Sequence, residues 1–573
     1  MADANPTPPP LTLPTLMASA MKLLTEEPLF KVGEAEIRGN SYRVFESIPG
    51  NLADFFADTT AAQGDKDFLT YQGETLTFSA LQSQAMRFAN AAAQTYGVKQ
   101  GDHVAIAMRN YPEWCVAYIG LISLGAVVVP LNAWWKGEEL KYGLQDSGAK
   151  IVVCDGRRLE YIAPYKDELG LTLILARDEG EGADARFDEM IASCADDSRP
   201  SVDIAPDDRF CIVYTSGSTG QPKGVLLTHR GALSTVYSWF FVSEVMRDVR
   251  GVSLAGDNPG ILLAVPLFHV TGSHSIFMLS FLLGRRIVIM HRWNAEAAAQ
   301  LIKDHELTNF VGVPSQSFEL MRAAGNDGLP SLIDVGSGGA KRPPDQVEKL
   351  STAFKAAAPS SGYGLSETNA IGCVISLNLY QERPDSTGRA VPPLTDIKIV
   401  GDDGADAAKG DVGEIWIRSP GNFEGYWNRP DDTAKALTQD GWFRTGDLGK
   451  MDEMDFVYIV DRIKDIIIRG GENISCLEVE ATAYEHENVS EAAVFSVPDD
   501  VLGERVGLVV YPKEGGALEP SDIHDFMAER LAGFKTPERI WISPAPLPRL
   551  GTEKFDKITV KRIALQNPPA LEV

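Results

Sequence analysis

The stretch Tyr214-Thr215-Ser216-Gly217-Ser218-Thr219-Gly220-Gln221-Pro222-Lys223-Gly224-Val225 decides how the chain is read. It follows the apolar run Phe210-Cys211-Ile212-Val213, which has strand character, and precedes Gly231-Ala232-Leu233, where a helical pattern begins. The spacing predicts a loop between a strand and a helix. Its glycines allow positive φ and close backbone approach to a ligand, and its hydroxyls and N–H groups are donors. Such a loop suits a polyphosphate. A Walker-type loop is excluded: counting from Gly217, Pro222 stands where the second glycine belongs, and Gly224 replaces the metal-binding hydroxyl after Lys223.

Outward from this loop, helical segments alternate from Leu52 onward with short Val/Ile-rich runs such as Val104-Ala105-Ile106-Ala107, Val127-Val128-Val129-Pro130 and Ile151-Val152-Val153-Cys154. Alternation of this kind predicts an α/β architecture with largely parallel strands. With 573 residues, 44% of them hydrophobic, the chain has material for more than one core and two or more lobes are expected. A formal net charge of −26 argues against general nucleic-acid binding, and anionic ligands would need local basic clusters.

The six cysteines show no Cys-x-x-Cys pair and read as reduced thiols of a cytoplasmic protein. The N-terminus lacks a basic region followed by an apolar core, so no signal peptide is expected, and residues 1–14, rich in Pro and Thr, are expected to be a disordered tail. The apolar region Val116–Leu131 falls short of the roughly 20 residues that span a bilayer and reads as a buried helix running into a strand. No integral membrane segment is expected; peripheral membrane contact is left open.

Further along stand Val265-Pro266-Leu267-Phe268-His269-Val270-Thr271-Gly272, Gly336-Ser337-Gly338-Gly339-Ala340 and Tyr363-Gly364-Leu365-Ser366-Glu367-Thr368. After them come Trp442-Phe443-Arg444-Thr445-Gly446-Asp447-Leu448, Val460-Asp461-Arg462-Ile463-Lys464 with Arg469-Gly470-Gly471, and Pro548-Arg549-Leu550-Gly551-Thr552-Glu553-Lys554. Small residues such as Gly336 and Gly338 let a planar base or an acyl chain lie flat on the backbone. A carboxylate such as Asp447 can accept hydrogen bonds from two vicinal hydroxyls.

In this order and spacing the segments resemble the AMP-forming, adenylate-forming superfamily of acyl-CoA synthetases, aryl-CoA ligases, luciferases and adenylation domains. The resemblance covers most of the chain. It implies a large adenylation domain over residues 15–461 and a small mobile α/β lid over residues 462–573, pivoting near Lys464. It also implies that ATP is bound by Thr215, Ser216, Gly217, Ser218, Thr219, Gly220 and Lys223 of the loop, by Gly338, Gly339 and Ala340, by Tyr363, Gly364 and Thr368, and by Asp447 and Arg462. Magnesium would sit on Thr215 and Glu367, a choice that suits its preference for hard oxygen ligands. Tyr237, Trp239, Phe240, His269, Gly336 and Gly338 would line the acyl pocket. Arg469, Gly470 and Gly471 would line the coenzyme A channel, and Lys554 would be the catalytic lysine, with Lys557 as the fallback.

In amino-acid-activating relatives an aspartate follows the phenylalanine matching Phe268; His269 stands there and speaks against an α-amino acid. The implied reaction joins a small carboxylic acid, a medium- or long-chain fatty acid or an aryl acid, to coenzyme A through an acyl-adenylate. An acyl-AMP ligase serving a carrier protein is the alternative, and a catalytically silent nucleotide-binding regulator a more distant one. Relatives are monomers or homodimers. One departure stands out: relatives commonly carry glycine directly before the catalytic lysine, and Glu553 stands there, where left-handed backbone would cost glutamate on the order of 1 kcal/mol.

Overall fold

The computed structural model describes residues 11–215, 221–251, 258–325, 328–513, 515–551 and 554–572. Two large sheets form its frame. In the eight-stranded sheet, His103–Ala107, Val127–Pro130, Ile151–Cys154, Thr172–Leu175 and Ala185–Arg186 are parallel neighbours, and Arg209–Thr215 joins them beside Val127–Pro130. In the nine-stranded sheet, Gly260–Leu263, Arg286–Ile289, Asn309–Gly312, Asp334–Ser337 and Ala358–Gly364 run parallel, with antiparallel strands at both edges. Their apolar runs are continuous because both faces are covered, as in sheets flanked by helices on both sides.

The helix Pro112–Ser123 explains why these sheets stay together. Every residue in it except Glu113 is buried, as expected of a helix apolar all round and enclosed by protein. One core runs from Ile106, Val128 and Val213 of the first sheet to Leu69, Ile261 and Ile287 of the second.

A four-stranded antiparallel sheet follows (Asp396–Val400, Gly413–Arg418, Phe443–Met451, Val457–Arg462), and then a mixed six-stranded sheet containing Val489–Asp499 and Gly503–Pro512. The two cores of that last sheet draw only on residues from Ile467 onward, so the C-terminal unit packs its own interior. Arg462 closes the last strand of the four-stranded sheet, opposite Asp447.

Two expectations need correction. The decisive loop joins two antiparallel strands, Arg209–Thr215 and Lys223–Thr228, with Thr215 opposite Lys223, and only then does the helix His229–Arg250 begin, capped by Thr228. The apolar residues Val225, Leu226 and Leu227 make that second strand. The tail is ordered at least from Leu11. Thr12 caps the helix Leu13–Glu26, Pro14 occupies its first turn, where a missing N–H costs nothing, and buried Leu11 exchanges two 2.9 Å hydrogen bonds with the Asn378 amide. Among the described residues no helix is long and apolar enough to cross a membrane. The six cysteines are free and buried.

Candidate active site

The site is assembled where the strand Ala358–Gly364, the turn after it and the four-stranded sheet meet. Asp447 and Arg462 face each other across antiparallel strands, which brings Arg462 Nε to 3.1 Å from Asp447 Oδ1. The Tyr363 hydroxyl donates to Asp447 Oδ2 at 2.7 Å, and burial together with that carboxylate raises the phenol well above its ordinary range. Asp447 is 4% exposed, so its charge rests on these two partners.

Glu367 lies in the single turn Ser366–Thr368 and is buried. Its Oε1 accepts from the Tyr426 hydroxyl at 2.9 Å. Burial raises its pKa, against the opposing hydrogen bond from Tyr426 and the charge of Arg462. Thr368 is buried beside it, its Oγ1 accepting from the Leu365 N–H at 3.0 Å. A buried carboxyl pushed upward is a group that a cation would stabilise, and Glu367 with the Thr215 hydroxyl supplies hard oxygen donors. Among the described residues no cluster of three or more His, Cys, Asp or Glu could hold a metal. Magnesium fits this sparse donor set, since it keeps waters and substrate phosphates as ligands.

Lys554 reaches the same place from the C-terminal unit. Its hairpin is closed by Leu550 N–H donating to Lys554 O at 2.7 Å and Asp556 N–H donating to Pro548 O at 2.8 Å. A Cβ built on Gly339 would stand 3.1 Å from Lys554 Cε and 3.4 Å from Nζ, so the missing side chain admits the ammonium end. Burial, then the Arg462 charge, lowers its pKa to about 8, with Asp447 opposing. Lys557 goes elsewhere. It is bound to Glu480 at 2.6 Å, and although burial alone would lower its ammonium, Glu480 holds it above the ordinary lysine value. The fallback lysine is thus a structural one.

His269 shares this neighbourhood. Its pKa is lowered to about 3 by burial and by Lys554, so it is a neutral imidazole, and its buried Nε2 meets no hydrogen-bond partner among the described residues. Lys223 pairs with Asp432 at 2.9 Å and lies 5.0 Å from the Tyr426 ring centre. Thr215 Oγ1 donates to Lys223 O at 3.4 Å. Ser216, Gly217, Ser218, Thr219 and Gly220 lie outside the described residues, as does Glu553.

The expected acyl wall divides. Gly336 lies in the strand Asp334–Ser337 and packs against Val311 and Ser360. Gly338 follows that strand, 3.6 Å from Gly362 O to where its Cβ would be, and the Trp239 ring lies over Gly362, 3.5 Å from where a Cβ would be. Tyr237 and Phe240 turn into the core instead, with ring centres 6.3 Å from Phe55 and 5.6 Å from Phe30 respectively. Helix geometry is the reason: positions 237 and 240 are near neighbours on one face, whereas 239 points away from 237.

The coenzyme A candidates are not brought to Asp447 and Glu367. Arg469 binds Glu538 at 2.6 Å, and Gly470 and Gly471, at φ +59° and +94°, turn the chain into Glu472–Ile474. Lys464 is exposed in the turn after Arg462. Tyr426, Trp134 and Gly551 escaped sequence reasoning. Glu424-Gly425-Tyr426-Trp427 carried a usable signal, two aromatics after a glycine in a polar stretch, where Gly425–Tyr426 pairs with the edge strand Lys223–Thr228.

The chain is similar to known proteins over most of its length. The family model "AMP-binding enzyme" matches residues 56–427, and "AMP-binding enzyme C-terminal domain" matches residues 478–554. Feruloyl-CoA synthase from Amycolatopsis is 32% identical over 493 residues, 86% of this chain and 94% of that protein. The long-chain-fatty-acid–CoA ligase FadD13 of Mycobacterium tuberculosis is 32% identical over 499 residues, covering 85% and 92%. Among solved structures, o-succinylbenzoate CoA synthetase (MenE) of Bacillus subtilis in complex with its acyl-adenylate intermediate matches at a TM-score of 0.76 and 26% identity, over 88% of this chain and 97% of that one. The same enzyme has been solved with ATP and magnesium ion.

Proposed function

The chain belongs to the AMP-binding enzyme family, the adenylate-forming acyl-CoA synthetases, and from that premise we propose how its own residues carry the reaction. It is an acid–thiol ligase. The substrate carboxylate attacks the α-phosphorus of ATP, pyrophosphate leaves with the electron pair of the broken P–O bond, and an acyl-adenylate forms. The thiol of coenzyme A then attacks the acyl carbon and AMP leaves.

The observation that carries the assignment of roles is Lys554 seated against Gly339 beside Arg462 and Asp447. Asp447 holds the ribose hydroxyls, and Tyr363 lies along the base. Lys554 places positive charge where it gathers on the transferring and leaving oxygens, which is catalysis by placement. Arg462, bound to Asp447, keeps that carboxylate oriented. Glu367 and Thr215 would hold magnesium, which would neutralise phosphate charge when bound. Neutral His269 adds no charge beside the acyl carboxylate and lets it approach Lys554.

The C-terminal unit pivots near Lys464, withdraws Lys554 and presents Arg469, Gly470 and Gly471 for the second half. Trp239 and the glycines Gly336, Gly338 and Gly362 accommodate a hydrophobic acid, fatty or aryl, two of the classes that the relatives' names give.

The test is pyrophosphate release with ATP and magnesium over short, medium and long fatty acids, cinnamic and benzoic acids and amino acids, with and without coenzyme A. An optimum among the hydrophobic acids, with acyl-CoA formed, is expected. Pyrophosphate release that never yields acyl-CoA would instead indicate a carrier-protein acceptor, and an optimum on amino acids would overturn the roles of His269 and Trp239.

A further inference from the structure

Among its described residues, the hairpin that delivers Lys554 lands on the large domain at three points. Arg549 binds Glu319 at 3.1 Å, Lys554 lies on Gly339, and between them Gly551 meets Trp134. The third contact leaves the least room for a side chain. A Cβ at residue 551 would stand 1.7 Å from Trp134 Cδ1, 2.2 Å from Cγ and 2.6 Å from Nε1, all inside the distance at which carbon atoms can coexist. Gly551 has no left-handed φ, so the need for glycine here arises from space and not from backbone conformation.

The indole is held from one side. The Arg109 guanidinium lies 3.6 Å from its ring centre. The backbone N–H of Trp134 donates to Asn132 Oδ1 at 2.9 Å, which fixes the start of the side chain. The neighbouring anchor is braced as well, since Glu319 accepts from Trp293 Nε1 at 2.6 Å while it binds Arg549.

We propose that Gly551 and Trp134 are a matched pair of positioning residues for adenylation. The bare backbone at 551 seats the hairpin on a braced indole, and this fixes how far Lys554 enters the site. Relatives carry their glycine directly before the lysine, where this chain has Glu553. Here the glycine that the seat demands is Gly551, two positions earlier, facing Trp134. The pair matters only while the hairpin is docked, so it acts on the first half-reaction and not on the second.

The inference rests on the ligase reading above, and its test separates the two. Acid-dependent ATP–pyrophosphate exchange reports the first half, and acyl-CoA formation from supplied acyl-adenylate and coenzyme A reports the second. Gly551→Val is expected to lower exchange by about 10²-fold, the scale of an ångström-sized displacement of a catalytic group. It should leave the second half unchanged, which also shows that the variant folds. Trp134→Ala in the same chain should restore most of the exchange, a rescue that a merely structural glycine would not give.

Exchange by Gly551→Val at the wild-type rate, or loss of both halves without rescue, would overturn the pairing. A readout that needs no substrate accompanies these. Cysteines introduced as Glu319→Cys and Arg549→Cys should crosslink with a short bismaleimide, several-fold less in the Gly551→Val background and again with Trp134→Ala. If crosslinking follows this pattern while wild-type enzyme exchanges with no acid, the seat stands and the ligase reading falls. Equal crosslinking in all backgrounds would sink the seat itself.

Discussion

A lysine that stabilises phosphate charge must carry its proton, and Lys554 holds its proton less firmly than an exposed lysine. Burial and Arg462 both favour the neutral form and outweigh Asp447, which brings the pKa to about 8. The working, protonated form is therefore complete below that value and is lost as pH rises through it. For adenylation, kcat/KM for ATP reports ionisations of the free enzyme, so its basic limb is expected near pH 8. Lys554→Arg should move that limb out of range, because a guanidinium keeps its proton. A limb that stays in place in this variant would assign it to another group. Lys554→Ala should lower adenylate formation by about 10²–10³-fold and spare thioester formation from supplied acyl-adenylate. Equal loss in both halves would refute the role. His269, with its pKa near 3, stays neutral throughout and contributes no acid limb between pH 5 and 7.

At the level of elements, one hairpin and the helix after it divide two lysines between two tasks. Lys554 lies at the end of the Pro548–Phe555 hairpin, whereas Lys557 opens the helix Lys557–Leu565 and is bound to Glu480 inside the C-terminal unit. Lys557→Met would leave Glu480 buried without its counter-charge, at a cost of about 3–5 kcal/mol. Urea unfolding should show that loss, while Lys554→Ala should unfold close to wild type; the opposite order would exchange the two assignments. In the sequence the family resemblance pointed to Asp447, Arg462, Glu367 and Lys554 and left Lys557 only as a fallback, because its partner Glu480 is brought alongside by the fold. The elements that were misread share a physical cause. Val225 to Leu227 is an apolar run as short as a strand or a helical turn, and its pairing with Arg209–Thr215 depends on residues that only the fold brings alongside. Tyr237 and Phe240 differ from Trp239 only in the direction they face, which the helix phase sets. Trp134 and Gly551 lie more than four hundred residues apart and carry no charge, so nothing in their spacing couples them.

For the whole molecule, the proposed reaction asks the C-terminal unit to serve two chemistries with one sheet. Its core is its own, and among the described residues its lysine hairpin meets the large domain through Arg549, Gly551 and Lys554. Arg469 is meanwhile held by Glu538, which also takes Arg505 at 3.2 Å, and the turn Gly470-Gly471 is spent inside the unit's sheet. In a chain of net charge −26 an anionic co-substrate needs such a local basic group, and the proposed pivot would bring Arg469 to it. Gly471 isolates that second use. Its φ of +94° is open to glycine, and a Cβ there would meet nothing within 4 Å, so Gly471→Ala acts through the backbone and not through a clash. The left-handed strain is on the order of 1 kcal/mol, enough to reshape the turn without unfolding the unit. Gly471→Ala should therefore raise KM for coenzyme A and slow thioester formation while pyrophosphate exchange stays at the wild-type rate. That is the mirror image of Gly551→Val. Opposite losses from two glycines on one unit would mean that the unit takes two docked positions in turn. If Gly471→Ala slows pyrophosphate exchange as much as thioester formation, the turn has no separate part in the second half, and a single fixed position would serve both.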